Sequence, residues 1–346
     1  MIYLNCDYTE GAHPSILQKL QETNFEQTIG YGMDDHCKTA ASYIKKECKK
    51  EDVDVHFLVG GTQTNVTVID AALRAHQGVI CADSGHINVH ETGAVEACGH
   101  KCITIPSTDG KLYESEIRKL LEEHYANGGD EHMAQPKMVY ISNPTELGTI
   151  YTKKELGDIY QTCKEYGVFL FLDGARLGYG LACKENDLTM ADIAENTDVF
   201  YIGGTKVGAL FGEAVVISHA NIKEDFRYSI KQHGGMLAKG RLLGIQFEAL
   251  FEDGLYYDIS KYAITLANRI HDKLESLSVT FTVDSPTNQL FVALPDTVVD
   301  ELGKKYKLEP MGRYNNTHRT VRICTSWATK EEYVTEFLED LERLIP

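Results

Sequence analysis

Short apolar runs alternate with longer segments of helical periodicity through the first 220 residues. Apolar residues recur at helical spacing over residues 62–77, and Thr152 and Glu155 form the sequence pattern of a capping box before a helix over 153–166. This alternation is typical of an α/β domain with a mostly parallel sheet that is covered on both faces. The apolar runs predict strands at residues 53–59, 79–82, 102–105, 138–142, 168–172, 199–202 and 214–217.

The pattern changes after about residue 221, where long helical stretches follow and break near Gly254. Thr329 and Glu332 have the spacing of a capping box and predict the start of a last helix. We expect two domains, a large one over residues 1–255 that includes the N-terminal segment and a smaller α+β domain over residues 256–346. The small domain should contain strands at 279–283, 289–293 and 320–324 and a helix at 296–305.

The charge of the chain narrows the classes of partner. It has 34 Lys and Arg residues against 51 Asp and Glu residues, so the net charge is −17 at pH 7. A protein that binds a phosphate backbone needs an excess of cations on at least one face. No apolar run approaches the roughly 20 residues that a membrane span requires. We therefore expect a soluble protein without a nucleic-acid or membrane partner.

The cysteines indicate the compartment. The nine thiols are scattered, odd in number and without the dense spacing of a disulfide framework, so reduced thiols are the simplest interpretation. The N-terminal segment has neither a basic stretch nor an apolar run of the secretory type. We expect a cytoplasmic protein.

Two glycines, Gly60 and Gly61, separate a predicted strand from a predicted helix and precede Thr62. The backbone N–H groups at a helix N-terminus, together with a hydroxyl group, can hold a phosphate. The segment is neither a P-loop nor a dinucleotide-binding fingerprint. Taken alone, it is explained more simply by a tight turn.

Asp173 and Lys206 each follow a strongly apolar predicted strand, and ligands of open α/β sheets bind at the carboxyl ends of strands. Asp173 could pair with Arg176, or its carboxylate could accept a hydrogen bond from the protonated ring nitrogen of a heterocycle. A lysine confined away from water has a lowered pKa and can act as a nucleophilic amine. A solvated surface lysine is the ordinary alternative for Lys206.

The three features are more specific together than apart. Pyridoxal 5′-phosphate (PLP) is held through its phosphate, its pyridinium nitrogen and its aldehyde. The glycine-containing turn, Asp173 and Lys206, which lies 33 residues further along the chain, offer one partner to each of these groups. The combination predicts a PLP site.

With these motifs and several others, the chain resembles the fold-type-I PLP enzymes of the threonine aldolase and β-eliminating lyase family over essentially its whole length. Within that family it is most similar to the low-specificity threonine/phenylserine aldolase branch. The resemblance implies an α/β, aspartate aminotransferase-like fold. The matching segments are residues 4–9 (LNCDYT), 31–34 (YGMD), 60–65 (GGTQTN), 84–94 (SGHINVHETGA), 142–149 (SNPTELGT), 172–176 (LDGAR) and 321–329 (VRICTSWAT).

The resemblance implies roles for the residues that would hold the cofactor. Lys206 would carry PLP, and Asp173 would keep its ring nitrogen protonated. His86 would cover the ring, and it is also the candidate for the base that takes the proton of the substrate hydroxyl. Gly61 and Thr62 would bind the phosphate.

The substrate ligands follow from the same resemblance. Arg176 and Arg322 are candidates for the substrate carboxylate, since a guanidinium suits bidentate contact with it, and Arg176 is also a candidate cofactor ligand. Typical threonine aldolases have a second active-site histidine in a segment that reads SNPTELGT here and contains none. Glu146 in this segment is a candidate substrate contact, although a solvated or capping glutamate explains it equally well.

The implied activity is the cleavage of β-hydroxy-α-amino acids such as L-threonine, L-allo-threonine or phenylserine to glycine and an aldehyde. Two alternatives remain open: β-elimination or transamination of another amino acid, and a non-catalytic PLP-binding protein. The presence of Lys206, Asp173 and Arg322 argues against the second of these.

Two further predictions concern metal binding and the oligomeric state. His86 and His90 with the adjacent Glu91 could suggest a metal site, but the chain lacks an HExxH motif, and we expect no metal. The resemblance implies a homodimer or homotetramer with active sites at the subunit interface.

Overall fold

The secondary structure follows the predicted alternation of strands and helices. The computed structural model of the chain describes residues 1–345. The strands are β1 (Ile2–Tyr3), β2 (Asp54–Leu58), β3 (Gln77–Ala82), β4 (Lys101–Ile105), β5 (Gln135–Ser142), β6 (Phe169–Asp173), β7 (Val199–Gly203), β8 (Glu213–Ile217), β9 (Thr280–Val283), β10 (Gln289–Pro295), β11 (Tyr306–Lys307), β12 (Glu309–Arg313) and β13 (His318–Cys324).

Helices cover both faces of the main sheet and one side of the small one. They are α1 (Pro14–Glu22), α2 (Asp35–Cys48), α3 (Gly61–Ala72), α4 (His86–Val89), α5 (Ala94–Ala97), α6 (Glu114–Tyr125), α7 (Lys153–Tyr166), α8 (Leu177–Ala182), α9 (Met190–Glu195), α10 (Ala220–Lys223), α11 (Phe226–Gln232), α12 (Arg241–Phe251), α13 (Leu255–Ser276), α14 (Asp296–Leu302) and α15 (Glu331–Leu344).

The main sheet has seven strands in the order β2-β8-β7-β6-β5-β3-β4. Strand β8 runs antiparallel to its neighbours β7 and β2, and the other neighbouring pairs are parallel. The seven strands predicted in this part of the chain are confirmed, with ends that differ by at most three residues. Because the parallel strands share one direction, β5, β6 and β7 place their carboxyl ends at the same edge of the sheet.

The two faces of this sheet belong to different apolar clusters. In β3, Val79 and Cys81 join one cluster, whereas Ile80 and Ala82 join the other. Successive side chains of a strand point to opposite faces, so this division confirms a sheet that is buried on both sides.

The helix predicted at residues 153–166 is confirmed together with its capping box, whereas the helix predicted at residues 62–77 extends too far. Helix α7 begins after Thr152, whose hydroxyl accepts the Glu155 N–H at 3.2 Å, while the Glu155 carboxylate accepts the Thr152 N–H at 2.8 Å. Helix α3 ends at Ala72 rather than at residue 77. Leu73 has extended backbone angles there, and the Gln77 side chain accepts the Arg74 N–H at 2.9 Å, which forms a turn into β3.

The C-terminal part forms a four-stranded antiparallel sheet in the order β12-β13-β10-β9. The predicted strands there are confirmed, and the helix predicted at 296–305 ends at Leu302. Strand β12 was not predicted, since its residues are mostly exposed. The capping box of the last helix is wrong: Lys330 precedes α15 without a side-chain cap, and Thr329 instead accepts the Ser326 N–H at 2.8 Å.

The boundary between the two domains runs through shared elements. Strand β1 pairs with β11, and Leu4 joins the small apolar cluster of the C-terminal part. Helix α13 contributes Ile264 to the large cluster and Ile270 to the small one. The division between residues 255 and 256 therefore stays a prediction. The last residue of the predicted small domain, Pro346, lies outside the described residues.

Two further features concern the helices and the cysteines. None of the helices within residues 1–345 is both long and apolar enough to span a membrane. All nine cysteines are free thiols, and seven of them are buried.

Candidate active site

A cavity of about 190 Å³ lies at the sheet edge where β5, β6 and β7 end. Most of its lining comes from the segments that directly follow strands, as expected for an α/β sheet. Seven of the eight predicted site residues line it; these are Gly61, Thr62, His86, Glu146, Asp173, Arg176 and Lys206. The structure thus brings together residues from six separate segments of the chain.

The N-terminus of α3 forms one wall of the cavity. Gly60 precedes the helix in an extended conformation and has no side chain to cap it, so the first N–H groups of α3 are left for another acceptor. A Cβ atom added to Gly61 would lie 3.2 Å from the Tyr201 hydroxyl, so the space beside this turn is narrow. Such a helix terminus suits a phosphate group.

Asp173 stands at the end of β6 and is held by three donors. Its Oδ2 accepts the Tyr140 hydroxyl at 2.5 Å and the Asn65 amide at 3.3 Å, and its Oδ1 accepts the Ala175 N–H at 2.9 Å. Arg176 is not its partner, so that alternative is wrong. The carboxylate is fixed in one orientation and is almost completely buried.

Arg176 pairs with Asp7, a residue to which sequence analysis gave no role. Its Nε and Nη2 donate to the two oxygens of Asp7 at 2.7 and 2.9 Å, and Asn288 donates to Asp7 at 2.9 Å. Burial raises the pKa of Asp7, but the charge and hydrogen bonds of Arg176 and the charge of Lys206 outweigh it and lower the pKa. Its place inside the LNCDYT motif was the available signal.

Lys206 follows β7 and lines the same cavity. Burial, and then the charge of Arg176, lower its pKa, while the charges of Asp7, Asp173 and Glu213 oppose them. A lowered pKa increases the fraction of neutral amine, which is the nucleophilic form.

Glu213 is a second acidic residue that sequence analysis missed. It begins β8, lines the cavity and accepts the Gly204 N–H at 3.1 Å. Burial raises its pKa to about 8, against the influence of Thr205 and Lys206. A charged residue at the start of the otherwise apolar strand EAVVI was the signal that could have found it.

His86 begins α4 and lines the cavity, and its imidazole ring is fixed by a neighbouring carboxylate. Its Nδ1 lies 2.7 Å from the Glu91 carboxylate, which also accepts the Asn65 amide at 2.7 Å. Burial lowers the pKa of His86, but the hydrogen bond to Glu91 and the charges of Asp173 and Glu91 outweigh it, so the pKa is raised. Asn65 therefore connects the His86–Glu91 pair with Asp173.

Arg322 is the one predicted residue that does not line the cavity. It lies in β13, where its Nη2 donates to the Asn5 carbonyl at 2.8 Å and its Nη1 to the Gln289 amide oxygen at 3.2 Å. Its Nε is buried and has no hydrogen-bond partner within residues 1–345. Its role toward a substrate stays a prediction.

His86 and His90 were the candidate ligands of a metal ion. The rings of His86 and His90 have their centroids 5.5 Å apart. Within residues 1–345, no group of three or more His, Cys, Asp or Glu side chains is arranged to hold a metal ion.

The sequence profile of the Beta-eliminating lyase family matches residues 5–297 of the chain. The chain belongs to this family. Its similarity to known members extends over the whole length. The low-specificity L-threonine aldolase of a Pseudomonas species is 29% identical and is aligned over 98% of this chain and 96% of its own.

Solved structures extend the comparison to the fold. The threonine aldolase from Leishmania major is 45% identical, covers 100% of both chains and superposes with a TM-score of 0.97. The aspartate aminotransferase from Thermus thermophilus is 13% identical, covers 99% of this chain and 91% of its own, and superposes with a TM-score of 0.71. At that identity the likeness concerns the fold alone. The chain therefore has the predicted aspartate aminotransferase-like fold, which is fold type I.

The Asp7–Arg176 pair generates a prediction on stability. Asp7→Asn leaves a buried guanidinium without its carboxylate, so we expect the free energy of unfolding at pH 7 to fall by about 3–5 kcal/mol. Because the folded-state pKa of Asp7 is lowered from 3.8, its contribution is complete above that value and is lost as the pH falls through the lower folded pKa. Urea unfolding at pH 7 measures the first effect, and a series of unfolding curves from pH 7 down to pH 2 measures the second.

Asp35→Asn is the matched control, because Asp35 is 94% exposed and pairs with Lys38 at the surface. This variant should unfold like the wild type. Equal stabilities of the Asp7 and Asp35 variants would contradict the prediction.

Proposed function

We propose that the chain is a PLP-dependent aldolase that cleaves β-hydroxy-α-amino acids of the L-threonine, L-allo-threonine or phenylserine type to glycine and an aldehyde. The observation that carries the proposal is the single cavity that joins Lys206, Asp173 and the N-terminus of α3. Full-length similarity to proteins named threonine aldolases supports the choice of reaction within the family.

The residues of the cavity fit PLP. Members of the threonine aldolase and β-eliminating lyase family depend on this cofactor. The uncapped N-terminus of α3, with Gly61 and Thr62, would hold its phosphate, Asp173 its ring nitrogen and Lys206 its aldehyde. When bound, PLP supplies an electron sink for the electron pair that bond cleavage leaves on Cα.

The chain's own residues prepare this chemistry. Lys206 is biased toward the neutral amine, and the three donors to Asp173 keep its carboxylate facing one way. Glu91 fixes the ring of His86, which we propose to cover the cofactor ring.

We propose Arg176 and Arg322 as ligands of the substrate carboxylate. Asp7 occupies Nε and Nη2 of Arg176, so Nη1 is the donor we assign to the ligand. The buried Nε of Arg322 lacks a partner among residues 1–345, as expected of a donor that binds a ligand in the complete site. The positive charge of each guanidinium favours a carboxylate over a neutral group.

We also propose that a second copy of the chain completes the assembly, as a homodimer or homotetramer with active sites at the interface. Phe25, Ile29 and Tyr228 are 93%, 68% and 76% exposed. The Tyr31 carbonyl accepts a hydrogen bond from Arg227 at 3.1 Å, which brings Tyr31, two residues after Ile29, beside α11. Large apolar side chains exposed together mark interaction surfaces.

A cytoplasmic location is the compartment we propose. The support is the set of nine free thiols, since a reducing compartment keeps such thiols unpaired.

The cofactor assignment predicts a covalent link to Lys206. The purified protein with PLP should show a visible absorption band, and borohydride reduction should leave the cofactor on the peptide that contains Lys206. Lys206→Ala should lose both signals, because the amine is removed. Lys119→Ala, which removes a 76% exposed lysine of α6, is the control and should keep them. A colourless wild type in excess PLP would disprove the assignment.

The reaction assignment predicts cleavage of at least one of L-threonine, L-allo-threonine and phenylserine by the PLP-loaded protein. Glycine and the released aldehyde should appear in equal amounts, and Lys206→Ala should form neither. Chromatographic quantification of both products measures this. If none of the three is cleaved and another amino acid yields pyruvate instead, the chain is a β-eliminating lyase in activity as well as in family.

The assembly proposal predicts the molar mass in solution. Size-exclusion chromatography with light scattering should give two or four chains for the wild type, and the double variant Phe25→Ser/Ile29→Ser should shift it toward the monomer. Met311→Ser, at a 42% exposed position of β12, is the control and should leave the mass unchanged. A monomeric wild type would contradict the proposal.

A further inference from the structure

Glu146 holds an unusual place in the cavity, on the loop that follows β5. It lines the same space as Lys206, Asp173 and His86. Its Oε1 accepts the Ser142 hydroxyl at 2.8 Å and the His86 backbone N–H at 2.9 Å. Both bonds end on one oxygen, which leaves Oε2 as the oxygen that neither donor occupies. The carboxyl group is therefore anchored at one atom and has the other to offer to a ligand.

The electrostatic surroundings of Glu146 raise its pKa above that of an ordinary glutamate. Burial, and then the charge of Asp173, raise its pKa, while its own backbone N–H, the Ser142 hydroxyl and the His86 N–H oppose them; the net pKa is raised. A base works best when its pKa lies near the working pH, and an ordinary glutamate lies well below it.

The other ionisable groups of the cavity are committed elsewhere. The Nδ1 of His86 is bound to Glu91, and the raised pKa of His86 favours the imidazolium, which cannot accept a proton. Asp173 accepts three hydrogen bonds, and we assign Lys206 to the cofactor. Glu213 lies at the start of β8, accepts the Gly204 N–H, and interacts with the Thr205 side chain and with the charge of Lys206, the residue that we assign to the cofactor.

We propose that Glu146, rather than His86, is the general base that takes the proton of the substrate's β-hydroxyl group. This inference rests on the proposed aldolase function. The hydroxyl proton moves to Oε2 of Glu146, and the O–H electron pair becomes the second bond of the aldehyde carbonyl. The Cα–Cβ bond breaks, and its electron pair stays with Cα. A proton taken up from the solvent at Cα then completes glycine, and Glu146 releases the hydroxyl proton to the solvent.

The groups that face Glu146 set the direction of the pH dependence. They are His86 of α4, Ser142 and Tyr140 of β5, Tyr151 before α7, Asp173 of β6, and the cations Arg176 and Lys206. A base acts when it is deprotonated, so kcat/KM should rise with pH as Glu146 loses its proton. Because the pKa of Glu146 is raised, this rise should occur above the ordinary range of a glutamate.

Glu146→Gln in the PLP-loaded protein tests the proposal, since it keeps the shape and removes the base. The rate of aldol cleavage should fall by about 10²–10⁴-fold, and the acidic limb of the kcat/KM profile should disappear. The exchange of the Cα hydrogen of glycine with deuterated water requires the cofactor but no β-hydroxyl group. NMR should therefore show this exchange close to the wild-type rate, and the visible band should remain.

Glu248→Gln is the control for the loss of a buried carboxylate elsewhere; Glu248 lies in α12, is 9% exposed and pairs with Lys19. It should keep both rates. The proposal is overturned if Glu146→Gln cleaves as the wild type does, or if cleavage and glycine exchange fall equally. If Glu146→Gln does not fold, Glu146→Asp replaces it: cleavage should fall more than exchange, and equal losses overturn the proposal.

Failure of the Glu146 proposal and failure of the aldolase function give different results. A wild type that exchanges glycine but cleaves none of the three hydroxy amino acids would remove the aldolase function itself. A wild type that cleaves them, with a Glu146→Gln variant that is equally active, would remove only the role of Glu146.

Discussion

The buried ion pair between Asp7 and Arg176 is the interaction on which the site depends. Arg176 lies in the segment between β6 and α8, whereas Asp7 lies in the N-terminal segment that is also bound by Asn288 of the C-terminal part. The Asp7 side chain is fully buried and that of Arg176 is only 12% exposed, so each charge requires the other. The pair therefore fixes the two parts of the chain against each other beside the cavity. It also leaves a charged guanidinium near Lys206, which favours the neutral amine.

The same requirement for compensation orders the rest of the cavity. Asp173, Glu91 and Glu146 are each held by hydrogen bonds from neighbours on other elements. Asn65 links two of these groups, because its amide contacts both Glu91 and Asp173. A substitution at one of these residues thus leaves a buried polar group of another residue unsatisfied, which is costly in a confined site. This connection explains why the site is a network rather than a set of independent contacts.

The strands and most cavity residues could be predicted because their signals are local. Strands buried on both faces appear as apolar runs, and the residues after β6 and β7 are placed by the parallel sheet. The end of α3 was missed because apolar residues continue past Ala72 into a turn, and Thr329 binds a loop N–H instead of capping α15. Asp7 was missed for another reason: its partner lies 169 residues away, and such a contact leaves no spacing in the sequence.

The net charge of −17 acts against the proposed ligands over long distances, since PLP and an amino acid both carry anionic groups. Salt screens exposed charges beyond about 8 Å at physiological ionic strength, so the bulk charge is felt weakly inside the cavity. There the uncapped N-terminus of α3, Arg176 and Lys206 provide short-range attraction. The acidic groups beside them limit this attraction, but burial raises the pKa of Glu213 to about 8, which reduces its charge near neutral pH. Burial thus both makes Lys206 reactive and keeps the cavity from repelling an anion.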